Sequence, residues 1–343
     1  MEKMRLGKTE LMVTKTSFGA LPIQRDDFPT AIRILRKAFD AGINYYDTAR
    51  FYTDSEEKLG AAFSDVRKEV IISSKSMGNT KQEVIDHCMQ GLRNIKSDYF
   101  DLYQLHNPSY LDYEDPDGPL AGLLELKKKG YVRHIGITNH SPKMAVEAIE
   151  SGVFETLQFP FSYLSGEVED DLLRRCKEKD MGFIAMKALS GGLVGNVPAA
   201  FAFIREYDNV VPIFGIQHEW ELDEFIALDA NPPKMDAEMR AVIAKDRKEL
   251  AGEFCRSCGY CMPCPQGINI PTAGRIHLLA TRSPYQQFLT KEYRDEQKLV
   301  DNCIHCGQCA SRCPYHLDTP AMLASQAKKF WAWAEEHRSE WTD

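Results

Sequence analysis

Eight short apolar runs, each followed by an amphipathic segment, constrain this chain more than anything else in it. The strand candidates are 15–19, 44–47, 70–74, 100–105, 132–138, 156–160, 182–186 and 210–214. Between them, Ile32, Leu35 and Phe39 share one face of a helical segment, and Ile85, Met89 and Leu92 share a face of another. Gly42 and Gly130 stand just past helices and just before strands, where helix terminators belong. Alternation alone fits either a doubly wound sheet or a (β/α)8 barrel. No Gly-x-Gly-x-x-Gly run opens a helix after a strand, so the dinucleotide fingerprint of the doubly wound fold is missing. Asp47, Lys75 and His106 end three consecutive runs. In a barrel they share one rim, the end at which such folds carry their sites. The prediction is an α/β fold: a (β/α)8 TIM barrel, opened by a short hairpin around Gly7.

The chain has 343 residues, too many for one ordinary core. After the eighth helix, Asn231-Pro232-Pro233 makes a stiff break. We expect a barrel over 1–232, a connecting helix over 233–250 and a small, mainly helical domain over 251–343. Eight of the ten cysteines lie between Cys255 and Cys313. The net charge of −8 offers no basic stripe for nucleic acid. No run approaches the ~18 apolar residues of a membrane span. Residues 1–13 carry five charges and no long apolar stretch, unlike a secretion signal. Clustered thiols without such a signal suit a reducing, cytoplasmic setting and metal binding rather than disulfides.

Singly, the strand-end residues have bland readings: Asp47 as a helix cap, Lys75 as a solvated charge, His106 as a structural ring. Together, with Tyr52 five residues after Asp47, they form a proton-handling set. Reducing a carbonyl by hydride requires a proton for the developing alkoxide. A phenol near pKa ~10 is a poor acid-base group at neutral pH. Lys75 is expected to lower the pKa of Tyr52, Asp47 to hold Lys75, and His106 to orient the substrate oxygen.

These residues resemble the aldo-keto reductases over about 1–230. The carriers are Gly-Ile-Asn-Tyr-Tyr-Asp-Thr-Ala at 42–49, Tyr52, Ser-Glu-Glu-Lys-Leu-Gly at 55–60, Lys75, Leu-His-Asn-Pro at 105–108 and Gly-Ile-Thr-Asn at 136–139. The resemblance puts Asp47, Tyr52, Lys75 and His106 on the family's catalytic tetrad, with Tyr52 as proton donor. A histidine rather than a glutamate at 106 implies carbonyl rather than carbon–carbon double-bond reduction. It also implies an extended nicotinamide cofactor. Asn139 and Gln158 match the carboxamide-binding residues, and Ser190-Gly191-Gly192-Leu193 matches the loop along the pyrophosphate. Met186 stands where the family often stacks an aromatic ring on the nicotinamide; its thioether can cover the same face. Gly215 and Glu221 fall where NADPH-specific members place a Lys and an Arg. With Glu219, Asp223 and Glu224 nearby and no Lys or Arg between Arg205 and Lys234, NAD(H) is expected over NADP(H). The competing reading of those carboxylates is that they complement the helix dipole.

Cys255-x2-Cys258-x2-Cys261-x2-Cys264-Pro265 is followed by Cys303-x2-Cys306-x2-Cys309-x3-Cys313-Pro314. The second run has the bacterial ferredoxin spacing, in which the fourth cysteine serves the other cluster. Two [4Fe–4S] centres are expected: Cys255, Cys258, Cys261 and Cys313 on one, and Cys303, Cys306, Cys309 and Cys264 on the other. Structural zinc is the competing reading. Helix is predicted between the runs, for example over 272–280, which resembles the helical ferredoxins appended to larger oxidoreductases. A subset of aldo-keto reductases resembles this chain throughout. Cys88 and Cys176 sit on helical segments and read as packing residues.

The expected activity is interconversion of a small carbonyl compound (aldehyde, ketone or sugar) and its alcohol. The clusters then serve either a one-electron partner protein or the tail's fold. The alternative from another class is an electron carrier or redox sensor whose barrel only binds a ligand.

Overall fold

The structure, a computed structural model, describes residues 1–250, 254–282, 285–313 and 315–342. Ala251, with which the cysteine domain was expected to open, and Pro314, which ends the second cysteine run, lie outside them.

Ten strands precede the cysteine runs: β1 (Lys3–Arg5), β2 (Met12–Thr14), β3 (Ser17–Gly19), β4 (Tyr45–Asp47), β5 (Ile71–Ser76), β6 (Phe100–His106), β7 (Val132–Thr138), β8 (Thr156–Pro160), β9 (Gly182–Met186) and β10 (Val210–Gly215). β1 and β2 pair antiparallel as the expected hairpin. The other eight close into a parallel barrel in the order β10-β3-β4-β5-β6-β7-β8-β9. Strands buried on both faces read as continuous apolar runs, which is why each expected span lies within two residues of the observed one. Met4, Leu6 and Val13 of the hairpin region pack with Tyr45, Ile184 and Val211 near the strands' beginnings. A Cβ on Gly7 would lie 2.2 Å from the Gly182 nitrogen, so only glycine lets the hairpin approach β9 this closely. One end of the barrel is thereby closed by packing, and Asp47, Lys75 and His106 lie at the other.

The helices bury slightly different faces from those predicted. Phe28–Asp40 buries Ala31, Ile34, Leu35 and Ala38, and leaves Ile32 and Phe39 at the flank. Lys81–Asn94 buries Val84, Cys88, Gly91 and Leu92, with Ile85 and Met89 partly covered. The physical reason is size. Small residues sit where helix and sheet approach most closely, and they count little in a hydrophobic periodicity. Cys88 and Cys176 are fully buried, as expected of packing residues.

By contact the chain divides into two compact units, 1–188 with 201–235, and 189–200 with 236–343. Within the span expected to connect the domains, 233–250, the helix Ala237–Glu249 belongs to the second unit, as do residues 189–200. Between the cysteine runs lie Ile270–Ala273, Ile276–Arg282 and Lys291–Lys298, and the helix Thr319–Glu336 follows them. Among the described residues no helix is long and apolar enough to cross a membrane.

Candidate active site and cysteine cavities

Asp47 is the last residue of β4, Lys75 lies one residue before the end of β5, and His106 ends β6. The Lys75 ammonium donates to Asp47 Oδ1 at 2.6 Å and to the Thr48 carbonyl at 2.6 Å. Ser73 Oγ donates to Asp47 Oδ2 at 2.6 Å, and Tyr45 donates to Ser73 Oγ at 3.0 Å. Gln158 Nε2 reaches Asp47 Oδ1 at 3.4 Å, while its Oε1 accepts from Gln104 at 2.8 Å. The carboxylate is thus held from two other strands, β5 and β8.

Tyr52 enters from the turn after β4. Lys75 Nζ stands 5.6 Å from its ring centroid, and His106 meets the ring edge-on at 6.0 Å. The Tyr52 hydroxyl and His106 Nδ1 have no hydrogen-bond partner among the described residues. The hydroxyl is available to a substrate oxygen or a cofactor, whereas His106 Nδ1 is enclosed in the protein. Burial, followed by the Lys75 charge, pulls the His106 pKa down to about 3, so the ring is neutral at physiological pH. Burial also lowers Lys75, against the opposing pull of Asp47.

The expected lowering of the Tyr52 pKa is not found. Burial and then Asp47 push the phenol well above its ordinary value. Lys75 is compensated by Asp47 at contact distance, so the phenol faces a dry, nearly neutral pair rather than a bare cation. The ring therefore keeps its proton, the form a reductase needs at the start of a turnover.

The Ser-Glu-Glu-Lys-Leu-Gly segment proves to be scaffold. Ser55 donates to the Ala20 carbonyl, and Glu56 accepts from Ser74 and Asn94. Lys58, wholly buried, donates to the Ile23 and Asp26 carbonyls. A Cβ on Gly60 would lie 2.2 Å from the Asn94 carbonyl oxygen, so glycine is required where this helix meets the next.

The residues matched to cofactor contacts lie as follows. Asn139, buried just past β7, donates to the Pro108 carbonyl, and its Oδ1 accepts from the amides of His140 and Ser141. Gln158 is buried in β8, and Met186 ends β9 with its sulfur 3.9 Å from Thr138 Oγ1. Ser190, Gly191 and Gly192 all have positive φ, and Leu193 is buried after them. Gly215 ends β10. Glu221 Oε2 accepts from the amides of Gln217 and His218, both at 2.8 Å, so it caps helix Glu219–Ala230. Sequence reasoning missed three cations here. Arg33 and Lys37 pair with Glu219, Lys37 also pairs with Asp223, and Arg25 reaches Gln217 at 3.4 Å. They come from another part of the chain, and no local pattern announces them.

In the second unit the cysteines ring two cavities. One is lined by Cys255, Cys258, Cys261, Cys309 and Cys313. The other is lined by Cys261, Cys264, Cys303, Cys306 and Cys309, with Ile268, Ile270 and Leu323 as apolar wall. Cys264 and Cys313 therefore each reach the cavity of the other run. Both runs follow the same backbone path, with left-handed residues on either side of the second cysteine: Ser257 and Gly259, then His305 and Gly307. Burial and the nearby sulfurs of Cys255 and Cys258 push the Cys261 thiol up to about 12. Cysteine sulfurs gathered around two cavities in this way form donor sets that suit an iron–sulfur cluster.

Residues 15–197 match the aldo/keto reductase family, and residues 254–318 match a 4Fe-4S dicluster domain. The uncharacterized oxidoreductase YqkF of Bacillus subtilis is 27% identical over 213 residues, 58% of this chain and 68% of that protein. The NADH-specific methylglyoxal reductase of Escherichia coli is 25% identical over 225 residues, 57% of this chain and 69% of that protein. Among solved structures, the holo form of an aldo-keto reductase from Bacillus halodurans aligns with a TM-score of 0.64 at 22% identity, over 72% of this chain and 96% of that one. That last likeness concerns the fold. A family match spanning more than half of the sequence, on a closed eight-stranded barrel, makes this chain a member of the aldo/keto reductase family, extended by a 4Fe-4S domain.

Proposed function

We propose that the chain reduces a small carbonyl compound to its alcohol, or runs the reverse, with Tyr52 as the proton donor and His106 and Lys75 beside it. The observation that carries this is the protonated, unpartnered Tyr52 hydroxyl between a neutral imidazole and a buried ion pair. A nicotinamide dinucleotide, the family's cofactor, supplies the hydride when bound. Tyr52 gives its proton to the carbonyl oxygen as negative charge grows there. His106, neutral, donates a hydrogen bond to the same oxygen and fixes its direction. The Asp47–Lys75 pair holds the positive end of a dipole against the phenolate that forms. Asn139 and Gln158 are the candidate carboxamide partners, and Met186 the candidate cover for the ring.

NADH is the proposed cofactor. Neither Gly215 nor Glu221 supplies a cation for an additional phosphate, and one relative is named for NADH specificity. Repulsion by Glu219 and Asp223 is a weaker argument than the sequence suggested, because Arg33 and Lys37 neutralise them.

For the tail we propose two [4Fe–4S] clusters, on Cys255, Cys258, Cys261 and Cys313, and on Cys303, Cys306, Cys309 and Cys264. The cysteines lining the two cavities support this division. Cys306 is exposed, and its neighbour Ile304 is 61% exposed, which favours a one-electron partner protein over a purely structural role. The testing experiment is anaerobic purification followed by assay of NADH oxidation with small aldehydes, ketones and sugars, methylglyoxal included. Neither turnover nor nucleotide binding by protein with intact clusters would overturn the reading.

A further inference from the structure

We propose that Arg275, a residue of the cysteine domain, is a cofactor-binding residue whose guanidinium closes a diphosphate site against the turn at 190–192. The inference rests on the nicotinamide-dependent reading above, and it assigns to the iron–sulfur domain a direct part in nucleotide binding.

Arg275 lies 85 residues from Ser190 in sequence, yet its Nη1 stands 3.4 Å from the Ser190 carbonyl oxygen. A Cβ on Gly191 would lie 2.9 Å from Nη1 and 3.4 Å from Nη2, so the guanidinium lies directly over the Gly191 backbone. Ser190, Gly191 and Gly192 have φ of 50°, 64° and 92°, three left-handed residues in succession. Glycine at two of them removes the side chains that would separate the turn from Arg275 and from a ligand. On the far side, Leu279, one helical turn after Arg275, packs 3.8 Å from where a Gly192 Cβ would stand.

The charge on Arg275 has no carboxylate partner among the described residues, and its Nε is buried without a hydrogen bond. Among the described residues, the Cys255 sulfur, an expected cluster ligand, is the group whose charge bears on it. A partly buried guanidinium without a counter-ion is costly, and a long bond to a carbonyl offsets little of that cost. A diphosphate suits it, since guanidinium offers parallel N–H donors matched to phosphate oxygens. The rival reading is that Arg275 only braces the turn.

The test uses the full-length protein with clusters intact, judged by iron content, and ADP-ribose as the probe of the diphosphate half. Arg275→Gln should weaken binding of both ADP-ribose and NADH by about 10- to 100-fold, the scale of one charged hydrogen bond. It should also flatten the salt dependence of ADP-ribose binding, and Arg275→Lys should recover part of the affinity. Independently of any substitution, saturating ADP-ribose should protect Arg275 from phenylglyoxal in the wild-type protein. Wild-type affinity and salt dependence in Arg275→Gln, or unprotected modification of Arg275, would make the residue a brace and overturn the proposal alone. Failure of the wild-type protein to bind either nucleotide would overturn the functional reading with it.

Discussion

Lys75 Nζ lies 2.6 Å from Asp47 Oδ1, and neither side chain exposes more than 3% of its surface. Removing one partner leaves the other as an uncompensated buried charge, at a cost of about 3–5 kcal/mol. Lys75→Met should therefore lower thermal stability sharply. Asp47→Asn combined with Lys75→Met should cost clearly less than the sum of the single changes, because no charge remains stranded. Thermal unfolding followed by circular dichroism measures all three; strict additivity would count against the pair.

Tyr52→Phe removes the only unpartnered phenol beside Lys75 and His106. Positioned proton transfer contributes ~10²–10⁴-fold, so turnover should fall by at least about a hundredfold. NADH affinity, measured by fluorescence titration, should stay near wild type. Retention of more than about a tenth of the turnover would falsify the assignment.

The pH dependence of carbonyl reduction follows from two shifts. Reduction needs the protonated phenol, and Tyr52 holds its proton more tightly than an ordinary tyrosine, so no loss is expected until strongly alkaline pH. His106 is pulled down to about 3, so its neutral form persists through mildly acidic pH. Reductive kcat/KM should be flat from roughly pH 6 to 9. A limb with midpoint near 7 would show that one of these groups titrates in the working range. The same depression has a stability sign. A neutral buried His106 stabilises the fold above about pH 6.5, and that contribution declines as pH falls from there towards about 3.

Cys264 and Cys313 each line the cavity of the other run. Cys264→Ser should selectively damage the cluster proposed on Cys303, Cys306 and Cys309. Cys313→Ser should damage the one proposed on Cys255, Cys258 and Cys261. Iron analysis, with about four irons expected per cluster, and electron paramagnetic resonance of the reduced protein distinguish the two variants. Identical spectra from both would contradict the crossed arrangement.

NADH should be used with higher kcat/KM than NADPH on a common substrate. Arg25, which reaches the Gln217 side chain, is the proposed cation for an added phosphate. Arg25→Gln should therefore lower efficiency with NADPH further and leave NADH nearly unchanged. A preference for NADPH in the wild-type protein would show that cations supplied by tertiary structure outweigh the local carboxylates.

Several features were determined by sequence alone. Parallel strands buried on both faces must be continuous apolar runs, so the eight barrel strands could be placed from composition along the chain. A polar residue at the end of such a run has to emerge on the strand's carboxyl rim, which located Asp47, Lys75 and His106. Cysteine spacing likewise announced the second domain, since a cluster demands thiolates at short, regular intervals. Other properties were decided only by the fold. Whether Tyr52 loses or keeps its proton depends on burial and on how completely Asp47 cancels Lys75, and both are distances through space. Glu219 is paired with Arg33, 186 residues away, and Lys37, 182 residues away, partners that local sequence does not reveal. Glu221 proved to cap its own helix. Arg275 comes to the 190–192 turn only because that segment packs with the cysteine domain rather than with the strands that flank it. Periodicity and motif spacing report what each segment is. Electric field and burial are sums over neighbours, and chain closure alone determines who the neighbours are.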